Sequence, residues 1–600
     1  MKHIIRAIIL SLFIVLIVIL SYLFFPHKVQ HAVFIKSDNS STTIYLDGTK
    51  KNIKISNLNL KENTVFNYTY NFFKIYNVTQ LTPLTDRIMV KNTDSFEVEG
   101  LGTVKTSPRL NFYKISNNKL IPCESSELII GKNNVHTYTD SSGKVKTFIL
   151  SPADFSNMRV GISTNNFSGL YHSKIQLVSS ATTKLYSLVE KYSKEIPANT
   201  PIEIQYSSGA MKVYIGDAVT IHTSRLYLNG GSIKIENLKR GAPEYIPDYD
   251  GTLEFSAIKN GICIVNELNI EDYLKKVVPS EMPNSGGVES LKCQAVAART
   301  YAISDTLAGR YSNLGFYVDD STKSQVYNNS KPNDMSNTAI TSTKGIIITY
   351  NDLPIDAKYF STSCGTGVRY QDVWYNAEGV AENKPYLRTV NFISSINILP
   401  ENEDAWLKFY KNTTYNTVDT KSPYFRWNVK LSSKALTNTL SKTLLALDKS
   451  NSPFLKIAKN GKELANLPSA LGSLKDIQVV KRSRGGNVMS IKFVFEHVDV
   501  TVSGDSTLST TLKLNSENTG ESIVIERLNS TSLTNPTTLP SKFFSIEKSS
   551  DGYIFYGGGY GHGVGMSQYG AMELSKLDWT YNKILEVYYK NAVLKQLHYN

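Results

Sequence analysis

"YDGTLEFSAIKNGICIVNELNIEDYLKKVVPSEMP", Tyr249 to Pro283, is where the chain changes character. Two strands lead into Asn269, whose side chain suits a helix N-cap, and Glu271 and Asp272 follow in the first turn, where carboxylates complement the helix dipole. The spacing predicts a short helix that ends just before Pro279. Beyond it, "SGGVESLKCQAVAARTYAISDTLAG" repeats Val288, Leu291, Ala295, Ala298 and Ala302 at helical intervals, the pattern of a long, tightly packing helix. Strands that feed helices, with strands again on either side, make the chain α+β.

Downstream, "FYVDDSTKSQVY", "KGIIITYND" and "IDAKYFSTSCGTG" alternate as strands do. From about Pro400 to Pro540 lies a more polar stretch, with a helix in "SSKALTNTLSKTLLAL" and strands in "LKDIQVVKRS" and "VMSIKFVFEHVDVTVSG", which reads as an inserted subdomain about 400–540. "WTYNKILEVYYKNAVL" closes the chain as a helix. Upstream, residues 28–150 and 151–247 read as two β-rich regions. In the first, "TTIYLDGTKKNIKIS" alternates about an Asp47-Gly48 turn.

The N-terminus is apolar without interruption. Ala7 to Phe25 carry no charge over nineteen residues, long enough at about 1.5 Å per residue to cross a bilayer core of about 30 Å. Lys2 and Arg6 precede the run, which ends in "FFPHKV" without a small-residue cleavage site. The expectation is an uncleaved, single-pass anchor over 1–27 with its N-terminus in the cytoplasm and the remainder extracytoplasmic, at the cell membrane.

A net charge of +13 and a pI near 9.1 invite a nucleic-acid reading, but the Lys and Arg are dispersed and no aromatic RNA-binding signature accompanies them. A polyanionic wall or membrane surface suits a diffuse charge equally, and no nucleic-acid partner is expected. The four cysteines, Cys123, Cys263, Cys293 and Cys364, form no CxxC pair. Cys263 with Cys293 is the disulfide to test, against separate buried thiols.

Four constellations could carry chemistry. In "VPSEMP", Glu281 lies between Pro279 and Pro283, which stiffen its backbone. Val278 and Met282 would desolvate the carboxyl, raise its pKa and suit it to general-acid work; a surface glutamate in a turn is the bland alternative. In "CQAVAARTYA", Gln294 and Arg299 are large polar groups among alanines that must be hydrogen-bonded, in a structural network or a cleft. "DSTKSQVY" and "YFSTSCGTGVRYQDVW" combine hydroxyls, amides and rings, a surface suited to sugars as well as to a plain solvated sheet. "GGGYGHGVGMSQYGA", 557–571, lacks GxGxxG, a P-loop lysine and a second metal ligand near His562. Its glycines recur every second residue, which in a strand would line one face with glycine and leave Tyr560, His562, Val564 and Met566 on the other.

In order, "LNIEDYLKKVVPSEMP", "LKCQAVAARTYA", "DSTKSQVY", "YFSTSCGTGVRYQDVW", "PYLRTV" and "GYGHGVGMSQYGA" resemble the stage II sporulation protein D family, which includes the amidase-enhancer domains. The resemblance covers about 248–600, with a weaker echo from about Met158. It implies lytic cleavage of peptidoglycan glycan strands stripped of stem peptides, with Glu281 as the catalytic acid and a 1,6-anhydro-muramyl product. It also implies a cleft lined by Gln294, Arg299, Tyr301, Gln325, Tyr327, Ser361, Ser363, His562 and Gln568, with Arg299 facing a muramyl carboxylate. Asp372 is assigned to substrate positioning; it and Asp320 are the second carboxylates a hydrolase would need. Some family members carry His and Cys that contribute to a zinc site where this chain has Lys323 and Ser324, so no metal or other cofactor is expected. Phe360 stands where a histidine is common. The competing readings are a non-catalytic glycan-binding enhancer of a cell-wall amidase and a structural tie between membrane and wall.

Overall fold

The computed structural model describes the chain except residues 1, 56–57, 72–73, 259, 377–379, 529 and 598–600, together with the side chains of 2–5, 7 and 22. The fold is mixed α+β and rich in strands. It divides into two compact units: one made chiefly of Met1–Tyr273 and Asp305–Ser330, the other of Leu274–Ser304 and Lys331–His598. Residues 248–273 and 305–330 thus belong with the N-terminal β-rich regions.

The first unit holds four large sheets. Thr42–Leu46 and Thr49–Ile53 form the hairpin expected at Asp47-Gly48, both turn residues having positive φ, as a tight two-residue turn requires. A seven-stranded sheet contains Asn157–Gly161, Thr252–Ile258 and Gly261–Asn269. Through it runs a buried ion cluster. Arg159 and Arg225 both pair with Glu254, Arg159 also with Glu267, Arg225 with Glu97, and Arg87 with Glu99 and Glu267. Arg159 and Glu254 have no exposed side-chain surface, so each charge depends on its partner; the arginines hold Glu254 down at about 2 against the pull of burial.

Helix Lys2–Phe24 carries exposed apolar residues all round, from Ile8 to Leu20. Among the described residues no helix is long and apolar enough to cross a membrane, so the expected anchor finds no support in the fold. The four cysteines are free thiols, and the Cys263–Cys293 disulfide is not formed.

In the second unit, helix Ser433–Lys449 starts at Ser432, whose hydroxyl accepts from Ala435 N at 2.9 Å, and buries Leu436, Leu440 and Leu444. Two five-stranded sheets share its core. Trp427, Val429 and Phe555 come from one sheet; Ile491, Phe493 and Val500 come from the other. The segment expected to close the chain as a helix is helical only in part. Tyr581–Tyr588 is helical, but Val593–Gln596 then pairs antiparallel with Ile346–Tyr350.

Two local expectations are overturned. The first helix does not stop before Pro279 but runs Ile270–Glu281. Proline in the last turn forfeits one amide bond, and the turn closes regardless through Met282 N to Val278 O at 3.0 Å and Ser280 Oγ to Lys276 O at 2.6 Å. Nor does the glycine run form a strand. Strand Gly552–Gly557 ends where it begins, and Gly559, Gly561, Gly563 and Gly565 all take positive φ. Left-handed conformations at every second residue coil the backbone out of any sheet.

Candidate active site

Glu281 is the last residue of its helix, half-buried, with Val278 and Met282 beside it in the core. Tyr359 Oη donates to Glu281 Oε1 at 3.0 Å. Helix-end carbonyls lack intrahelical partners. For Glu281 the partner is Gln568, whose Nε2 donates to Glu281 O at 3.0 Å and to Gln294 Oε1 at 3.3 Å. Gln294 is fully enclosed on helix Val288–Ala308, and its own Nε2 has no partner among the described residues.

Tyr359 lies on a two-residue parallel pairing, Tyr359–Phe360 with Met566–Ser567, that joins the hydroxyl-rich segment to the glycine motif. Ser567 caps helix Gln568–Lys576, accepting from Gly570 N at 3.2 Å, and thereby aims Gln568 at the acid. Tyr301 meets Tyr359 edge-on at 6.5 Å. The Lys358 ammonium sits 4.4 Å over the Tyr301 ring and 5.5 Å over Trp374, paired with Asp356 at 3.1 Å.

His562 is wedged between Trp374, at 4.8 Å, and Phe360, at 5.6 Å. Its Nδ1 accepts from Val564 N at 3.1 Å, which leaves the proton on Nε2. Burial first, and the Lys358 ammonium second, push its pKa down to about 3. It is a neutral imidazole at working pH, fit to orient a ligand and unfit to act as a resident acid.

The remaining expected residues divide. Ser361 borders the site through its carbonyl, which accepts from Tyr569 N at 3.0 Å. Ser363 is buried in a turn, its hydroxyl accepting from Gly365 N at 2.8 Å and donating to Thr366 O at 3.2 Å. Arg299 has no exposed surface, and its Nη1 donates to the Ile346 carbonyl at 3.1 Å. Asp372 is buried against Arg369, at 2.7 and 3.1 Å to its two oxygens, so it fastens an arginine. Gln325 and Tyr327 belong to the first unit, where both are buried. Gln325 Oε1 accepts from Tyr273 Oη at 2.8 Å, and Tyr327 Oη donates to Asn266 Oδ1 at 2.8 Å. Asp320, in the same unit, is buried against Arg240 at 2.6 Å. Among the described residues no three His, Cys, Asp or Glu side chains gather as a metal site would need.

Sequence reading missed Asp419. Its Oδ1 accepts from Ser363 N at 2.9 Å and from the Ser567 hydroxyl, so one carboxyl ties the hydroxyl-rich turn to the helix cap. Complete burial lifts its pKa to about 7, against the pull of those two donors. Nothing around "NTVDTKSP" signals it. Tyr359 and Lys358 were also missed, although aromatic and hydroxyl groups mark their segment.

The family model for stage II sporulation protein matches residues 259–350, and a model for a domain of unknown function matches 369–565. The amidase enhancer of Bacillus subtilis (strain 168) is 28% identical over 416 residues, 65% of this chain and 52% of that protein, so the chain spans about half of its length. An uncharacterized protein of Brachyspira hyodysenteriae is 31% identical over 346 residues, 58% of this chain and 72% of that protein. Stage II sporulation protein D of Bacillus subtilis is 25% identical over 352 residues, 55% of this chain and 76% of that protein. With the family model matched and nearly three quarters of a relative above 30% identity covered, the chain belongs to the stage II sporulation protein D family.

Proposed function

We propose that this protein is a peptidoglycan lytic transglycosylase that cleaves stem-peptide-free glycan strands, with Glu281 as the acid. One observation supports the reading: Tyr359 donates to the Glu281 carboxyl and Gln568 to the Glu281 backbone carbonyl, so the acid is held at a fixed place on the end of its helix. Asp372 is held by Arg369, and Asp356 by Lys358 and Lys384. A glycoside hydrolase uses a second free carboxylate, at about 5–5.5 Å or 6.5–9.5 Å. A transglycosylase needs none.

In the proposed step Glu281 gives its proton to the glycosidic oxygen as the C1–O bond breaks. The muramyl 6-hydroxyl oxygen bonds to C1, and its proton returns to the Glu281 carboxylate, so the acid is restored and a 1,6-anhydro end is left. The half-buried Trp374, beside neutral His562, offers a ring to the sugars. No cofactor is required.

No membrane crossing is part of this reading; the proposed place of action is the cell wall, and the exposed apolar side chains of residues 8–20 would lie against a membrane surface without spanning it. A second reading, a glycan-binding enhancer of a cell-wall amidase, is favoured by the name of one relative. The test is to incubate the full-length protein with amidase-treated glycan strands and analyse the products by mass spectrometry. Anhydro-muramyl ends that vanish with Glu281→Gln are expected. Reducing ends would mean a hydrolase, and intact strands that remain bound would mean the enhancer.

A further inference from the structure

The second unit contains a cleft of about 840 Å³, of the size that holds an oligosaccharide, within the segment that the model for a domain of unknown function matches. Four cations line it, Arg369, Lys384, Arg388 and Arg484, and among the described residues no carboxylate does. Two of the four are neutralised from behind: Arg369 by Asp372 at 2.7 Å, and Lys384 by Glu382 at 3.1 Å and Asp356 at 3.6 Å. Arg388 and Arg484 are exposed and have no carboxylate partner among the described residues; Arg388 Nε donates only to Pro385 O, at 2.7 Å.

The cleft also holds polar atoms that lack partners. Gln371 Nε2 donates to Asn383 Oδ1 at 3.2 Å, yet Gln371 Oε1 and the Thr389 hydroxyl, both shielded from solvent, bond to nothing among the described residues.

A chain of side-chain contacts links the cleft wall to Glu281. Lys384 shares Asp356 with Lys358, and Lys358 lies over Tyr301, which meets Tyr359, the donor to Glu281. On its other side Lys384 lies 4.8 Å over Tyr370, which packs on Trp374 at 4.8 Å.

We infer that this cleft is an extended glycan subsite in which Arg388 and Arg484 bind the free lactyl carboxylates of muramyl residues. The inference rests on the glycan-strand reading of the site and adds the feature by which stripped strands are distinguished. A stem peptide converts each lactyl carboxylate into an amide, removes its charge and adds bulk. Two unpaired guanidiniums favour the strand in which that charge is restored, since each takes a carboxylate bidentately.

The test uses the full-length Glu281→Gln protein, which should bind without turnover, and measures affinity for two probes. One is the amidase-treated strand; the other is the same strand with its carboxylates converted to methylamides. Free-carboxylate strands are expected to bind at least about tenfold tighter, with the preference fading at high salt. Arg388→Ala with Arg484→Ala should reduce the preference to about twofold or less without weakening the methylamide strand, and the double Lys variant should recover part of it. A preference unchanged in the Ala pair, or equal affinity for both strands, or no binding of either, would overturn the inference. Cleavage is assayed separately in the unsubstituted protein. Carboxylate-dependent binding without anhydro products would defeat the transglycosylase and leave the subsite standing, and cleavage indifferent to Arg388 and Arg484 would do the reverse.

Discussion

Gly565→Ala is the most informative single change in the glycine motif. The residue sits at φ +79°, and a Cβ there would lie 1.9 Å from the Lys358 carbonyl oxygen and 2.8 Å from its carbon. That carbonyl cannot retreat freely, because it accepts from Met566 N at 3.1 Å and from the buried Tyr589 hydroxyl at 2.8 Å. The left-handed conformation costs alanine about 1–2 kcal/mol. Displacing the carbonyl weakens two hydrogen bonds worth about 0.5–1.5 kcal/mol each. Loss of chain freedom in the unfolded state offsets about 0.4–1 kcal/mol. A net loss of about 2–4 kcal/mol follows. Gly461→Ala is the matched control, at φ +76° with nothing within 4 Å of the new Cβ, and should cost about 1 kcal/mol or less. All four tryptophans, Trp374, Trp406, Trp427 and Trp579, lie in the second unit, so urea unfolding followed by their fluorescence reports that unit alone. Since Tyr359 follows Lys358, the alanine variant should also lose strand cleavage. Equal unfolding midpoints for the two variants would refute the reasoning.

Tyr359→Phe removes the donor to Glu281 Oε1 and should lower kcat by about tenfold to a hundredfold with KM little changed, read by product release from stripped strands. Asp419 gives a pH signature: its folded value near 7 exceeds the ordinary 3.8, so the stability held by the protonated carboxyl is present below about pH 4 and is lost as pH rises to 7. At about 1.4 kcal/mol per pH unit the loss is roughly 4 kcal/mol, and Asp419→Asn should abolish this fall in urea midpoint between pH 5 and 8. His562 has the opposite sign: its folded value near 3 means that stability falls as pH drops below about 6.5, so His562→Gln should flatten the acid side of the same curve. Ser567→Ala loses the cap of helix Gln568–Lys576 and should cost about 1 kcal/mol or more by urea unfolding, since Asp419 also loses a donor.

What the sequence made legible was local chemistry. Asn269 does accept from Glu271 N, at 2.9 Å, and Ser432 caps where the apolar period begins. Asp47-Gly48 turns because only such a pair tolerates positive φ twice. The glycine run misled for a physical reason. A period of two marks a strand when side chains define its faces, but glycine has no side chain, and the same period serves a backbone that turns left-handed at alternate residues. Gln325 and Tyr327 are legible only as a pattern: their segment carries the family motif, and the bonds they make to Tyr273 and Asn266 come from strands and helices distant in sequence. Asp419 was invisible because an isolated aspartate between polar residues acquires its role only from what the fold wraps around it.

That enclosure explains why the acid is fastened through segments so distant in sequence. Ser363 and Ser567 belong to separate motifs, and Asp419 comes from neither, yet its one oxygen receives both. Among the described residues its other oxygen has no side-chain partner, nor does the Tyr588 hydroxyl have one, and both border the space that a side chain on Gly570 would fill. A carboxyl so enclosed favours its protonated form, and the two donors to Oδ1 keep that form oriented. Ionisation there would place an uncompensated charge beneath the cap of the helix that carries Gln568. Because Gln568 holds the backbone of Glu281 while Tyr359 holds its carboxyl, disturbance at Asp419 should move the acid bodily, whereas loss of Tyr359 should leave it in place and alter only its hydrogen bonding. Glycan affinity should therefore fall with the first change and survive the second.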